Sequence, residues 1–245
     1  FSDEWREDFA QTANLPDLVV VLSESFFEPR HIAEAQLCTL LPDWCRLLEE
    51  GQWGEMNVPT FGGNTTRTEY EVLTGVPYNV LPHGIYPYNS VVLRPTASIA
   101  WWLKSLGYKT TAIHPHDRYF WQRHRAMPLL GFDTLNKLWT FAQERERSTA
   151  ILFFGDHLPG LHETFRQISF ESELTPLSHP VPYLLLQTQP STAPNWIPSA
   201  SYQLGLWFIE ASGLPLPSDY AILSTGYQEN NETFAKAVNS ALYPY

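Results

Sequence analysis

The sequence has no long apolar run and no excess of positive charge, and it contains only two cysteines. No stretch of about 18 consecutive apolar residues occurs, so no segment is predicted to cross a membrane. Acidic residues outnumber lysine and arginine by 26 to 15, and the net charge of −11 argues against non-specific binding of nucleic acid. Internal repeats and low-complexity segments are also missing. The 245 residues can bury one sizeable core, so we expect one folded domain.

The two cysteines, Cys38 and Cys45, are seven residues apart. On one continuous helix this spacing would separate their Cα atoms by about 10 Å, which is too far for a disulfide. Pro42 lies between them and is expected to break such a helix. The spacing therefore does not decide whether Cys38 and Cys45 form a disulfide. Two cysteines are compatible with an oxidising compartment without requiring one.

Two apolar, β-branched runs are typical of buried strands in a parallel sheet: PDLVVVLSES (16–25) and TAILFFGDHLPG (149–160). The first ends in Glu24, and the second ends in Asp156 and His157. Ligands bind at the carboxyl ends of strands in open α/β sheets, so we expect these side chains at the edge that binds ligand. A further strand pattern ends at His114 and is expected at the same edge.

The segment FGGNTTRTEYEVLTG (61–75) passes from glycines through hydroxyl residues to an apolar pattern. This order predicts a flexible turn that leads into the first turn of a helix. A helix N-terminus favours phosphate groups and hydroxyl nucleophiles that develop negative charge. An ordinary capping box is the alternative, because Thr66 and Glu69 have the required spacing.

A carboxylate, a carboxylate–imidazole pair and a hydroxyl at a helix start could together form an oxygen and nitrogen site for a divalent metal. Such a metal would lower the pKa of the hydroxyl and neutralise a phosphoryl or sulfuryl oxygen. Strand and helix patterns also alternate in the second half of the chain, which predicts an α/β layered sheet. These patterns are HPVPYLLLQTQP (179–190), YQLGLWFIEASGLP (202–215) and NETFAKAVNSAL (231–242).

Four segments combine these features: LSES (22–25), GGNTTRTEYEVLTG (62–75), HPHDRYFWQRHRAMPLLGFD (114–133) and FFGDH (153–157). Together, and in this order, they resemble the extracytoplasmic catalytic domain of the lipoteichoic acid synthase and phosphoglycerol transferase family. That family belongs to the sulfatase and alkaline phosphatase superfamily. The resemblance covers most of residues 16–160, and four co-occurring motifs are far more specific than any one of them.

The resemblance implies an alkaline phosphatase/sulfatase-like α/β fold, with a mostly parallel central sheet and helices on both faces. It implies one divalent metal ion, with manganese preferred over zinc or magnesium. The implied ligands are Glu24, Thr65, Asp156 and His157. It also implies that Thr65 is the nucleophile that becomes covalently loaded, because Thr65 matches the threonine of the family.

The segment 114–133 carries the candidate substrate-binding residues. Three arginines, Arg118, Arg123 and Arg125, could pair with a phosphate through bidentate hydrogen bonds, although a basic helix start is the ordinary alternative. By the family match, Trp121 and Arg123 contact the phosphoglycerol headgroup. We add His114 and Arg118 as further candidates for substrate binding.

One stretch departs from the family pattern. The segment between Asp133 and Asp156 is much shorter than in the family, and it lacks the further histidine that the family carries near the substrate. Either the enzyme is shorter in this segment than its family, or a flexible segment is absent from the sequence. We favour the second explanation, because the implied metal-binding set is complete.

The resemblance implies an enzyme that moves phosphoglycerol from phosphatidylglycerol, through Thr65, to a glucan or glycerol-phosphate acceptor. It also implies an extracytoplasmic protein, periplasmic or on the cell surface, in which a membrane region precedes a lead-in (1–15) and one catalytic domain (16–245). Two alternatives are a phosphoethanolamine transferase of the same superfamily and a catalytically silent domain that binds glycan or lipid. A sulfatase is disfavoured, because TTRTE lacks the proline of the C/S-x-P-x-R motif.

Overall fold

The computed structural model describes residues 15–28, 32, 36–136, 149–167, 180–188, 194 and 196–216. Its strands are β1 (Asp17–Ser23), β2 (Gln52–Met56), β3 (Thr111–Ile113), β4 (Thr134–Asn136), β5 (Thr149–Gly155) and β6 (Val181–Gln187). Its α-helices are α1 (Leu37–Leu40), α2 (Pro42–Glu50), α3 (Thr66–Thr74), α4 (Pro87–Ser90), α5 (Ile99–Ser105), α6 (Arg123–Leu129), α7 (His162–Phe165) and α8 (Ser201–Ala211). Two 3-10 turns are formed by Tyr78–Val80 and Phe120–Gln122.

The central sheet has four described strands in the order β1-β5-β6-β2. Strands β1 and β5 are parallel, and β6 is antiparallel to both of its neighbours. Three of the four strands therefore run in one direction, in agreement with the mostly parallel sheet that was predicted. Strand β3 does not join this sheet among the described residues, because its three residues pair in parallel with β4 instead.

Helices cover both faces of the central sheet, as predicted. On one face, Val72 of α3 and Phe208 of α8 pack in one apolar cluster with Phe154 of β5. On the other face, the Trp44 ring of α2 lies 5.6 Å from the ring of Phe153, the neighbouring residue of β5. Alternate β5 side chains point to opposite faces: those on the side of α3 and α8 are buried, and those on the side of α2 are half-buried. Cover on both faces agrees with the continuous apolar run in the sequence.

Helix α3 lies between two apolar cores. Seven of its nine residues are buried. Val72 joins the cluster on the sheet, whereas Tyr70 and Leu73 join a second cluster with residues of α5 and α6. The helix ends at Gly75, whose left-handed φ of 71° favours glycine. Because α3 packs against an apolar cluster on each side, its N-terminus is held in a fixed position.

The Cys38–Cys45 disulfide is formed, which settles the question left open by the spacing. The helical segment breaks at Leu41, and Pro42 begins α2, so the two Cα atoms come within 5.6 Å of each other. A proline at the first helical position is favourable because its missing N–H would have no helical partner there.

Several predicted segments fall outside the described residues. These are the lead-in 1–15 apart from Leu15, most of the short segment between Asp133 and Asp156, and the C-terminal helix 231–242. The strand and the helix predicted in 179–190 and 202–215 correspond to β6 and α8. Of the helices in the described ranges, none has the length and apolar character needed to cross a membrane.

Candidate metal centre and active site

Strands β1 and β5 bring the first two acidic residues of the site together. The strands are paired in register up to their last residues, so Glu24 and Asp156 follow at the same sheet edge. The backbone N–H of Ser25 donates a hydrogen bond of 2.7 Å to Asp156 Oδ1. Gly155 is needed here, because a Cβ at this position would lie 2.0 Å from the carbonyl oxygen of Phe26.

Helix α3 delivers Thr65 to the same edge. Before it, Gly62 has a φ of 65°, and its N–H donates to the carbonyl of Leu158 at 3.0 Å. Within the helix, the Thr68 hydroxyl donates to the backbone carbonyl of Asp156 at 2.9 Å. The chain on both sides of Thr65 is therefore hydrogen-bonded to the segment that follows β5.

The structure brings the four predicted ligands into one cluster, which we call the candidate metal centre. The Thr65 hydroxyl donates to Glu24 Oε2 at 2.9 Å. The His157 Nε2 atom lies 3.2 Å from Glu24 Oε1 and 3.1 Å from Asp156 Oδ2. One ligand atom from each of Glu24, Asp156 and His157 can be chosen so that all three lie within 4.8 Å of one another.

The polar atoms of this centre suit a cation. His157 Nδ1 lies 2.8 Å from the Leu158 carbonyl, a contact that makes Nδ1 the donor in the neutral ring. The Nε2 lone pair then faces two carboxylate oxygens. Among the described residues, the buried His157 Nε2 and Asp156 Oδ2 atoms have no hydrogen-bond partner. Buried acceptors that face one another are unfavourable unless a cation lies between them.

The electrostatics of Asp156 agree with this arrangement. Burial raises the pKa of Asp156, and the nearby charge of Glu24 adds to that shift. The His157 ring and the Thr65 hydroxyl act in the opposite direction. The carboxylate form of a fully buried side chain thus depends on positive charge and hydrogen-bond donors around it.

Arg123 lies within electrostatic reach of Glu24 in the candidate metal centre, and His114 lies within electrostatic reach of Arg123. The Arg123 side chain is only 5% exposed, and its Nη2 atom donates to Glu69 Oε2 at 2.8 Å. Burial opposes the charge of Arg123, but the carboxylates of Glu69 and Glu24 outweigh it and raise the Arg123 pKa. Burial, together with the charge of Arg123, lowers the pKa of His114. His114 is therefore a neutral imidazole near pH 7.

Trp121 belongs to an unusual backbone turn. Both Trp121 and Gln122 have positive φ values, 56° and 58°, which cost non-glycine residues on the order of 1 kcal/mol each. The Trp121 ring stacks on Tyr86 with a centroid distance of 4.8 Å. Arg118 is exposed, and its guanidinium lies 6.0 Å from the Tyr119 ring. We call His114, Trp121, Arg123 and Tyr86 the candidate headgroup wall.

The roles of two residues in this region, Glu69 and Tyr86, are not predicted by the sequence. The capping box with Thr66 is one alternative for Glu69 in the sequence, yet the Glu69 carboxylate binds Arg123, 54 residues later. Tyr86, which supports Trp121, comes from a different loop. No local pattern indicates either contact, because both depend on how distant segments pack.

Comparison with known sequences identifies the family. The sulfatase family profile matches residues 16–144. A putative cyclic beta-1,2-glucan modification protein of Rhizobium meliloti (strain 1021) is 37% identical over 118 residues, 48% of this chain and 18% of that protein. The capsular polysaccharide biosynthesis protein RkpI of the same organism is 42% identical over 138 residues, 54% of this chain and 24% of RkpI. These matches span less than a quarter of either relative.

Solved structures show the same fold at low identity. The Streptococcus pyogenes phosphoglycerol transferase GacH, in complex with sn-glycerol-1-phosphate, gives a TM-score of 0.71 at 14% identity, over 97% of this chain and 87% of GacH. The lipoteichoic acid synthase LtaP from Listeria monocytogenes gives 0.61 at 14% identity, over 85% of this chain and 74% of LtaP. The sulfatase profile covers more than half of the chain, which therefore belongs to the sulfatase family.

Proposed function

We propose that this chain is a metal-dependent phosphotransferase that moves phosphoglycerol from phosphatidylglycerol to a glycan or glycerol-phosphate hydroxyl, through a covalent intermediate on Thr65. One observation carries this proposal: the Thr65 hydroxyl, at the start of a buried helix, donates to Glu24, whose other carboxylate oxygen lies beside the unpaired buried Nε2 atom of His157. An anion-favouring helix start and a cation-favouring cluster at one point suit the transfer of a phosphoryl group.

The donor set fits one divalent ion. Glu24, Thr65, Asp156 and His157 would hold it through carboxylate oxygens, a hydroxyl oxygen and one imidazole nitrogen. Manganese suits such an oxygen-rich set best, with zinc and magnesium as alternatives. When bound, the ion would lower the pKa of the Thr65 hydroxyl and neutralise charge on a phosphoryl oxygen.

Two displacements at phosphorus complete the reaction. In the first, the Thr65 oxygen forms a bond to phosphorus, and the bond from phosphorus to the diacylglycerol oxygen breaks. The Thr65 hydroxyl loses its proton, and the diacylglycerol oxygen gains a proton, so that diacylglycerol leaves as an alcohol. In the second, an acceptor hydroxyl displaces Thr65, which regains its proton. The sum converts phosphatidylglycerol and an acceptor alcohol into diacylglycerol and a phosphoglycerol-modified acceptor.

The candidate headgroup wall would orient the donor. Arg123 is buried, fixed in position and close to Glu24, so its guanidinium suits a phosphoryl oxygen. Trp121 would cover the glycerol face, and neutral His114 would exchange hydrogen bonds with the headgroup. Arg118 is exposed and would attract the anionic headgroup from a greater distance.

The acceptor and the compartment are also part of the proposal. The R. meliloti relatives are named for glucan modification and capsular polysaccharide biosynthesis, which favours a glycan acceptor. We place the reaction outside the cytoplasm, in a protein that is membrane-anchored in its full length. The formed Cys38–Cys45 disulfide supports an oxidising compartment. A phosphoethanolamine transferase remains the alternative within the same fold.

Diacylglycerol release tests the proposal. Purified protein with added Mn²⁺ is incubated with labelled phosphatidylglycerol or phosphatidylethanolamine, and intact-protein mass spectrometry detects phosphoglycerol on Thr65. We expect release from phosphatidylglycerol by the wild type and at least about a hundredfold less by Thr65→Ala. Thr66→Ala, which removes the neighbouring hydroxyl, is the matched control and should retain most activity.

Three outcomes would change the assignment. Preference for phosphatidylethanolamine would identify the alternative transferase. Wild-type activity in Thr65→Ala would remove Thr65 from the mechanism. Tight Mn²⁺ binding without release from either lipid would indicate the silent binding domain, or a requirement for residues between Asp133 and Asp156 that this sequence lacks.

A further inference from the structure

We propose that Glu69 is a positioning residue that holds the Arg123 guanidinium in the orientation required for phosphoryl transfer. This inference rests on the proposed function of Arg123. Glu69 Oε2 accepts from Arg123 Nη2 at 2.8 Å, and Oε1 lies 3.5 Å from Nε. The 2.8 Å charge-assisted hydrogen bond at Nη2 holds the guanidinium in place, and the weaker contact at Nε adds to it.

Glu69 and the proposed nucleophile share one rigid element. The Glu69 N–H donates to the Thr65 carbonyl at 2.9 Å, so the two residues are one helical turn apart on α3. That helix is buried between two apolar cores, as described above. Helix α3 therefore fixes the backbone of Glu69 relative to that of Thr65. Arg123 begins a different helix, α6, and depends on Glu69 for this link.

The pairing leaves one end of the guanidinium for a ligand. Glu69 engages Nη2 and Nε, whereas among the described residues Nη1 has only a long contact, 3.5 Å, with the Phe120 carbonyl. A contact at this limit is weak and is readily exchanged for a phosphoryl oxygen. Glu69 also offsets the cost of burying the Arg123 charge before substrate binds.

Tyr88 lies within electrostatic reach of both Glu69 and Arg123. Its side chain is fully buried in the cluster that also contains Tyr70 and Met127. Burial and the negative charge of Glu69 raise the pKa of Tyr88, so the phenol stays neutral in the buried region around the Glu69–Arg123 pair.

A double-mutant cycle separates positioning from an ordinary structural ion pair. We expect Glu69→Gln to lower the kcat of diacylglycerol release about tenfold and to change KM less than about threefold, because the amide keeps the shape and loses the paired charge. Arg123→Gln should lower kcat at least as much. The double variant should be no slower than Arg123→Gln alone, because Glu69 acts only through Arg123. Glu50→Gln, which breaks the exposed pair with Arg46, is the matched control and should change nothing.

A second readout does not depend on turnover. Side-chain NMR of the protein loaded with diamagnetic Mg²⁺ should show protected guanidinium protons on Arg123 and slow rotation of its guanidinium, and Glu69→Gln should abolish both. Glu69→Asp keeps the charge and should partly restore the ordered signals. It replaces Glu69→Gln as the test variant if Glu69→Gln does not fold. An ordered guanidinium in Glu69→Gln, or additive kinetic losses in the cycle, would overturn the proposal. If the wild type releases no diacylglycerol, the proposed function fails, and the NMR result still decides the role of Glu69.

Discussion

The candidate metal centre comes from the ends of two paired strands and the start of a buried helix, whereas the candidate headgroup wall comes mainly from loops. In the centre, Asp156 is fixed by hydrogen bonds from Ser25 and Thr68 and by the β-ladder that precedes it. In the wall, Trp121 depends on a turn with positive φ values and on a stacking contact with Tyr86. Under the proposed function, rigid elements carry the chemistry, and loop segments carry the choice of substrate.

The largest expected effect comes from breaking the metal centre. Asp156→Asn should lower diacylglycerol release about a thousandfold or more, because it removes one ligand charge and leaves the rest of the fold in place. Thermal unfolding with and without Mn²⁺ checks the cause. Mn²⁺ at about a hundred times its Kd stabilises a protein that binds it by about 2.7 kcal/mol, and the variant should lose most of that gain.

The same variant makes an opposite prediction in the absence of metal. With a chelator present, Asp156→Asn should unfold at the wild-type temperature or above it, because a buried carboxylate with an unpaired oxygen is gone. Asp43→Asn, the same change at an exposed position, is the control and should leave activity and the Mn²⁺ effect intact. A full Mn²⁺ shift in Asp156→Asn would remove Asp156 from the ligand set.

A smaller effect is expected from the headgroup wall. Trp121→Ala should raise KM for phosphatidylglycerol about threefold to tenfold and leave kcat nearly unchanged, because a stacking contact stabilises bound substrate and transition state alike. Tyr86→Ala should raise KM less, since Tyr86 acts through Trp121. Steady-state kinetics with Trp53→Ala, an exposed aromatic residue on β2, provides the control. A loss of kcat at unchanged KM would mean that Trp121 belongs with the chemistry.

The same division explains what could be predicted from the sequence. Glu24 and Asp156 directly follow strong strand patterns, and parallel strands place such residues at one edge, so the clustering followed from local signals. The Glu69–Arg123 pair joins segments 54 residues apart, and no local signal predicts it. The separate β3–β4 pairing was missed for the same reason, since a strand pattern that ends at His114 does not specify its partner.

The smallest expected effect on activity comes from the disulfide, which lies on the face of the sheet opposite α3. Replacing Cys38 and Cys45 together by serine should lower the free energy of unfolding by about 2 kcal/mol, the loop-closure contribution of a short loop. Diacylglycerol release should stay within about twofold. The disulfide adjoins Trp44, whose ring lies 4.9 Å from that of Phe26, two residues after Glu24. Denaturant unfolding and turnover, each with and without dithiothreitol on the wild type, measure both quantities. A tenfold loss of activity, accompanied by weaker Mn²⁺ binding, would show that this aromatic contact, in addition to the β-ladder, holds Glu24 in the metal centre.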